Sequence, residues 1–263
     1  MPGNPSKVRL WDLGSGLALG EVRHFLEETF GPAVGCSPPR RLLPEGKLGP
    51  LARRLMDQRI PELGRLGTSG ARFSAAELAV VARILDGKAD PAERRASLFS
   101  GVGLSAALSG ALGRTAFHDG NMHIVFTSAL PCTWDTADCR FHPRAVVCGF
   151  PSVVSVSGAI EGPEKPRGYY VAKMMGLTEE EARRKYIGRF LEHDDSRLSE
   201  VAKGLAAQAV FYNLTGEPFC EKEGCRLFNA RWQEQLVESH INNGKFCDLH
   251  GRYLKELRRR GRE

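Results

Sequence analysis

The sequence predicts an α/β protein with a mixed sheet, and three observations carry that expectation. Apolar, β-branched runs stand early and centrally, at KVRLWDL (7–13), MHIVFTSAL (122–130) and AVVCGFPSVVSVSGAI (145–160). Stripes of helical period separate them and dominate the end of the chain. The C-terminal stretch carries cysteines and a histidine in pairs, which suits a metal-stapled helical region.

Taken in order, strand 7–13 enters a Gly-Ser-Gly turn. A helix over 18–30 follows, with Leu19, Val22, Phe25, Leu26 and Phe30 on one side. Residues 31–50 are rich in Pro, Gly and Arg and read as loop, and 51–64 as a short helix. Ser74 and Glu77 form a capping box for a helix over 75–86. Residues 87–115, rich in Gly, Ala and Ser, read as a flexible segment or a poorly defined helix. Pro151 argues against an unbroken strand over 145–160. Thr178 caps a helix whose TEEE start suits the positive end of a helix dipole. The strongest helix signal spans 196–214, with Ser196 before it and Gly216 as its stop. Amphipathic helices are expected over 226–241 and 248–260. The expected organisation is one domain over 1–263, with 216–263 as a zinc-stapled subregion.

The chain has 263 residues, 42 % of them hydrophobic and 26 % charged, enough to bury a core without cross-links. No apolar run approaches the roughly 20 residues that span a bilayer. The start, MPGNPSKVRLWDL, lacks the apolar stretch of a secretory signal. A cytoplasmic protein without membrane attachment is expected. There thiols stay reduced, so seven cysteines point to metal ligands or buried thiols rather than disulfides. The net charge of +6 comes visibly from Arg40, Arg41, Arg53, Arg54, Arg59 and Arg65, and from the tail KELRRRGRE. Such runs could contact nucleic acid. A solvated face and a frayed terminus are the simpler explanation, and no aromatic–basic interleaving accompanies them.

Cys220-x4-Cys225 and Cys247-x2-His250 have the spacing of zinc-ligand pairs. Gly224 allows a tight turn before the second cysteine. Four protein ligands leave no open position, so this zinc would be structural. His240 is a rival fourth ligand, though it falls mid-helix and outside the paired pattern. A second site is conceivable at His193-Asp194-Asp195, or at Cys132, Cys139 and His142, where Cys148 reads as a packed thiol. A charged loop capping the long helix is the simpler reading of the first. Cys132 with His142 or His118 is the only arrangement offering a cysteine nucleophile. His118 and His123 otherwise flank a loop entering a strand.

Immediately before Cys220 stands AVFYNLTGEPF. This stretch, with the cysteine pairs after it, resembles the frame of archaemetzincins. In those zinc metallopeptidases, HExxHxxGxxH is followed at once by a cysteine that opens a structural site spaced C-x4-C, then C-x2-C. Gly216 falls on the motif glycine, and His250 replaces the last cysteine. DLGSG, CTWD, FHPRAVVCGFPSVVSVSG, EVAKG and TGEPFC extend the likeness to a group of mostly archaeal proteins labelled metallopeptidases. The resemblance implies a metzincin-like fold and one structural zinc. It also implies that Ala209, Asn213 and Phe219 occupy the three histidine positions, and Val210 the glutamate position. None of these four supplies a zinc ligand or a water-activating carboxylate of the usual kind. The expectation is a metallopeptidase-like pseudo-enzyme that binds a peptide or protein in a former substrate cleft. A hydrolase with a displaced site and a zinc-stapled nucleic-acid binder are the alternatives.

Overall fold

The computed structural model describes residues 6–44, 46–68, 72–113, 116 and 120–261. In chain order the first half gives β1 (Ser6–Leu13), α1 (Leu19–Phe30), β2 (Val34–Cys36), β3 (Arg40–Arg41), α2 (Gly49–Met56) and α3 (Ala75–Asp86). It continues with α4 (Pro91–Ala96), β4 (Leu98–Ser100), α5 (Gly101–Leu112), β5 (Met122–Thr127), β6 (Leu130–Asp135) and β7 (Arg140–Pro143). The second half gives β8 (Val146–Val147), β9 (Ser152–Ser155), α6 (Val156–Glu161), α7 (Arg167–Met174) and α8 (Glu179–Lys185). It ends with α9 (Leu198–Thr215), α10 (Gln233–Val237), a π turn over Glu238–Asn242 and α11 (Asp248–Arg260).

The main sheet runs β2-β1-β5-β9-β8, with β3 pairing the far end of β1. All its pairs are parallel except β8 with β9. Side chains alternate across a strand, and both faces here are covered. Val8, Leu10, Ile124, Phe126 and Val154 pack under α1 and α9, while Leu13, Val125 and Val153 pack against α2, α3 and α5. The result is a three-layer α/β/α core, which explains why β5 reads as an unbroken apolar run. A smaller sheet, β4-β6-β7, stands beside it.

Local signals act where expected. Ser74 and Glu77 close a capping box on α3, and Thr178 and Glu181 close one on α8. Gly216 ends α9 in the left-handed conformation, at φ 81°. Pro151 divides the apolar run at 145–160 into β8 and β9, and its end turns into α6. Other expectations fail. The loop expected over 31–50 contains β2 and β3, and the helix of 51–64 runs from Gly49 to Met56 instead. Within 87–115, expected to be a flexible segment or poorly defined helix, residues 91–112 form α4, β4 and α5; residues 114 and 115 lie outside the described part. Asp90 and Glu93 cap α4, and the Ser100 hydroxyl accepts the Gly103 amide at the start of α5. Packing of Leu104, Ala107 and Leu108 against the sheet then outweighs the weak intrinsic helicity of this glycine-rich stretch. The helix expected over 226–241 begins only at Gln233.

Candidate metal centre

Two turns and one helix start bring the four predicted ligands together. The Cys220 amide donates to the Leu227 carbonyl at 2.8 Å, which closes a loop around the first pair. Gly224 takes φ 77°, a conformation costly for a side-chain-bearing residue, and lets the chain turn back into Cys225. The Arg226 amide donates to the Lys245 carbonyl at 2.7 Å, tying this turn to the one before Cys247. Cys247 is the N-cap of α11, and His250 stands in the first turn of that helix.

The four donor atoms lie within 4.8 Å of one another. Cys220 Sγ is 3.9 Å from Cys247 Sγ; His250 Nδ1 is 3.7 Å from Cys225 Sγ and 3.2 Å from Cys247 Sγ. A tetrahedral zinc with ordinary bond lengths requires S···S of about 3.8 Å and S···N of about 3.6 Å. The donor set and its spacing therefore fit zinc, and all four positions would come from protein. The amides of Lys222 and Cys247 approach Cys220 Sγ and Cys225 Sγ at 3.4 and 3.5 Å, as suits thiolate acceptors.

Burial pushes the Cys225 thiol up to about 12, with nearby Cys220 adding to the rise. Only a cation among the donors would hold it as thiolate. At Cys247 burial acts in the same direction, but the His250 amide and the Cys225 and Cys220 thiols outweigh it and hold this thiol below its ordinary value. Burial lowers His250, favouring the neutral imidazole that a metal needs.

Behind the site, Arg226 donates to the Gly244 carbonyl at 2.7 Å and pairs with Glu200 of α9. Phe211 of α9 packs edge-on against the His250 ring, with centroids 5.3 Å apart. The sequence reading missed both supports. A basic residue directly after a cysteine ligand, and an aromatic on the long helix, were the available signals. His240 does not join the cluster. Its ring is buried against Gly204 of α9, both nitrogens lacking a hydrogen-bond partner.

The four degenerate positions do not converge on an open cleft. Ala209 and Val210 are fully buried in the core beneath the sheet. Asn213 turns back on its own helix, Nδ2 donating to the Ala209 carbonyl at 2.8 Å. Phe219 is 39 % exposed, just before the first metal ligand.

The displaced-site candidates separate. His193 Nε2 lies 3.5 Å from Glu161 Oε1, and this contact first of all holds Glu161 below the usual carboxylate range. Asp194 is exposed, and Asp195 binds Arg197. Cys132 is buried beside Ile60 and Phe141, and burial raises its thiol to about 12, the opposite of an activated nucleophile. Cys139 is exposed. His142 meets Asp138 at 2.7 Å, and the group of donors here is Asp135, Asp138 and His142, with neither cysteine in it. His123 is buried, accepting from Trp11 Nε1 at 3.0 Å; His118 lies outside the described residues.

The fold and site define an α/β protein with a cysteine–histidine cluster, able to hold a metal, at the start of its last helix. A family model described as "Probable metallopeptidase family (DUF6775)" matches residues 7–257, and the chain belongs to that family. Among solved structures, archaemetzincin from Methanopyrus kandleri is similar at 12 % identity, over 96 % of this chain and 94 % of that one, with a TM-score of 0.47. No curated protein matches.

Proposed function

We propose that this member of a probable metallopeptidase family is a peptide-binding pseudo-enzyme with one structural zinc. One contrast carries the reading. Cys220, Cys225, Cys247 and His250 stand at tetrahedral spacing, while Ala209 and Val210 are sealed in the core and Asn213 is spent on its own helix. A catalytic zinc needs an open coordination position and a base; the proposed zinc has four protein ligands. The zinc-stapled subregion, 216–263, then serves to fix α11 against α1 and α9.

A peptide would lie along β8. That strand ends the main sheet, so among the described residues one side has no neighbouring strand and can accept an added one. The exposed Phe150 ring stands 6.1 Å from Tyr212 beside it, an apolar anchor next to the free edge. Zinc content and peptide binding test the proposal together. Protein prepared in metal-free buffer should keep one zinc per chain. It should bind members of a random extended-peptide library, lose that binding in Phe150→Ser, and cleave none of them. Two tightly held zincs, or cleavage abolished by His193→Ala, would overturn it.

A further inference from the structure

A cavity of about 350 Å³ lies beside the metal centre, lined by residues of three separate segments. Phe228, Val237 and the backbone of Gly188 and Gly224 line it, with Glu223, Glu234 and Glu238 around them. The volume is at the small end of the range for ligand sites, and roughly ten times the share of one water molecule. It therefore suits a small organic group or a single side chain.

The charges define what would enter. Three carboxylates line it, those of Glu223 and Glu238 exposed and that of Glu234 half-buried, against one guanidinium, that of Arg189, which sits over the Tyr186 ring at 5.7 Å. No cationic side chain among the described residues forms an ion pair with Glu223, Glu234 or Glu238. Two of them are instead held by neutral amides: Gln235 donates to Glu223 at 3.1 Å, and Asn242 to Glu238 at 2.9 Å. Those bonds fix carboxylate positions without neutralising them. The three acids do not converge on one point as metal ligands would; the close donor groups among the described residues are elsewhere. An extended cation fits this arrangement better than a metal ion.

The local backbone supports a built site. Glu238 and Asn242 are the first and last residues of the π turn, where the helix departs from its regular bonding. Such turns are rare and concentrate at functional sites. The turn presents the Glu238–Asn242 pair toward the cavity, while His240 is driven into the core.

We propose that this cavity binds an organic cation, a primary ammonium or guanidinium on a short apolar stem. The stem would lie against Phe228 and Val237, with the charge among the three glutamates. Coulombic attraction in a partly enclosed site and charge-assisted hydrogen bonds supply the selectivity. The site does not depend on the peptide reading of β8.

Calorimetric titration of the full zinc-loaded chain tests this with N-acetyl-lysine amide, N-acetyl-arginine amide and 1,5-diaminopentane. The neutral isostere N-acetyl-norleucine amide is the control. At least one cation should bind saturably, about tenfold more tightly than the isostere, and bind more weakly at high salt. Preference for the amino-acid amides assigns the site to a basic side chain, and preference for the diamine to a free amine; either supports the proposal. Glu234→Gln and Glu238→Gln should each weaken binding about tenfold with zinc content and melting temperature unchanged. Equal affinity for the neutral isostere, no saturable binding of any cation, or unaltered affinity in both variants would overturn it.

Discussion

At the scale of single residues, Cys225 is the candidate ligand with most at stake, because it is buried and burial raises its thiol to about 12. Cys225→Ser should lower zinc retention by more than the 10–100-fold that loss of an outer-shell partner costs. It should also lower the melting temperature, since metal binding and folding of such a site are coupled. Zinc content after dialysis checks the first expectation and calorimetry the second. Gly204 supplies a sharper steric case. A Cβ there would sit 2.0 Å from His240 Nδ1, on a ring with no room to move. Gly204→Ala should therefore destabilise by about 1–3 kcal/mol, overriding the usual gain of alanine in a helix. His240 itself is buried neutral. Burial first, and then the charge of Arg226, lower its pKa to about 4, against smaller opposite pulls from the Val201 backbone and Glu200. The unfolded chain therefore takes up a proton near pH 6.5 that the folded chain refuses until about pH 4. Stability from this group is complete above the unfolded value and is lost as pH falls through that window. Denaturant melts of the zinc-free protein should show this slope, and His240→Leu should flatten it.

At the scale of elements, α9 joins the core under the sheet to the cysteine–histidine cluster. Its inner face carries Ala206, Ala207, Ala209 and Val210 in the core; Phe211 meets the ring of a metal ligand. The middle of this helix is used for packing. Val210→Glu would place an unpaired charge among apolar groups. It should cost about 3 kcal/mol or more and restore no hydrolysis. A melting curve and a peptide-cleavage assay decide this. The last helix shows the reverse relation. α11 has a polar surface and, among its described residues, buries only Leu254 fully, so its position rests on the cysteine–histidine cluster at its start and on contacts with α1.

For the whole molecule, that difference predicts uneven loosening. Chelation at neutral pH should raise hydrogen exchange across 220–260 while β1, β5 and β9 keep their protection. Uniform exchange throughout would show that the metal does not staple this region selectively. The surplus positive charge is partly neutralised at close range. Arg41 pairs with Asp86, Arg59 with Glu77, and Arg259 and Arg260 with Glu256, so the basic runs are less free than the sequence suggests. No helix among the described residues is long and apolar enough to cross a membrane.

The sequence alone determined what depends on spacing and local chemistry. The β5 run, the capped helices α3 and α8, the stop at Gly216 and the grouping of Cys220, Cys225, Cys247 and His250 were all legible, because each rests on residues close in the chain. Tertiary structure decided the rest, since burial and long-range contact have no local signature. It turned residues 91–112 into ordered elements through packing, and buried His240 against a glycine far from it in sequence. It put Cys132 and His142 one register position apart on paired strands β6 and β7, hence on opposite faces, with the thiol in a small core. It also gathered Glu223, Glu234 and Glu238 around a cavity whose walls come from segments that no sequence period connects.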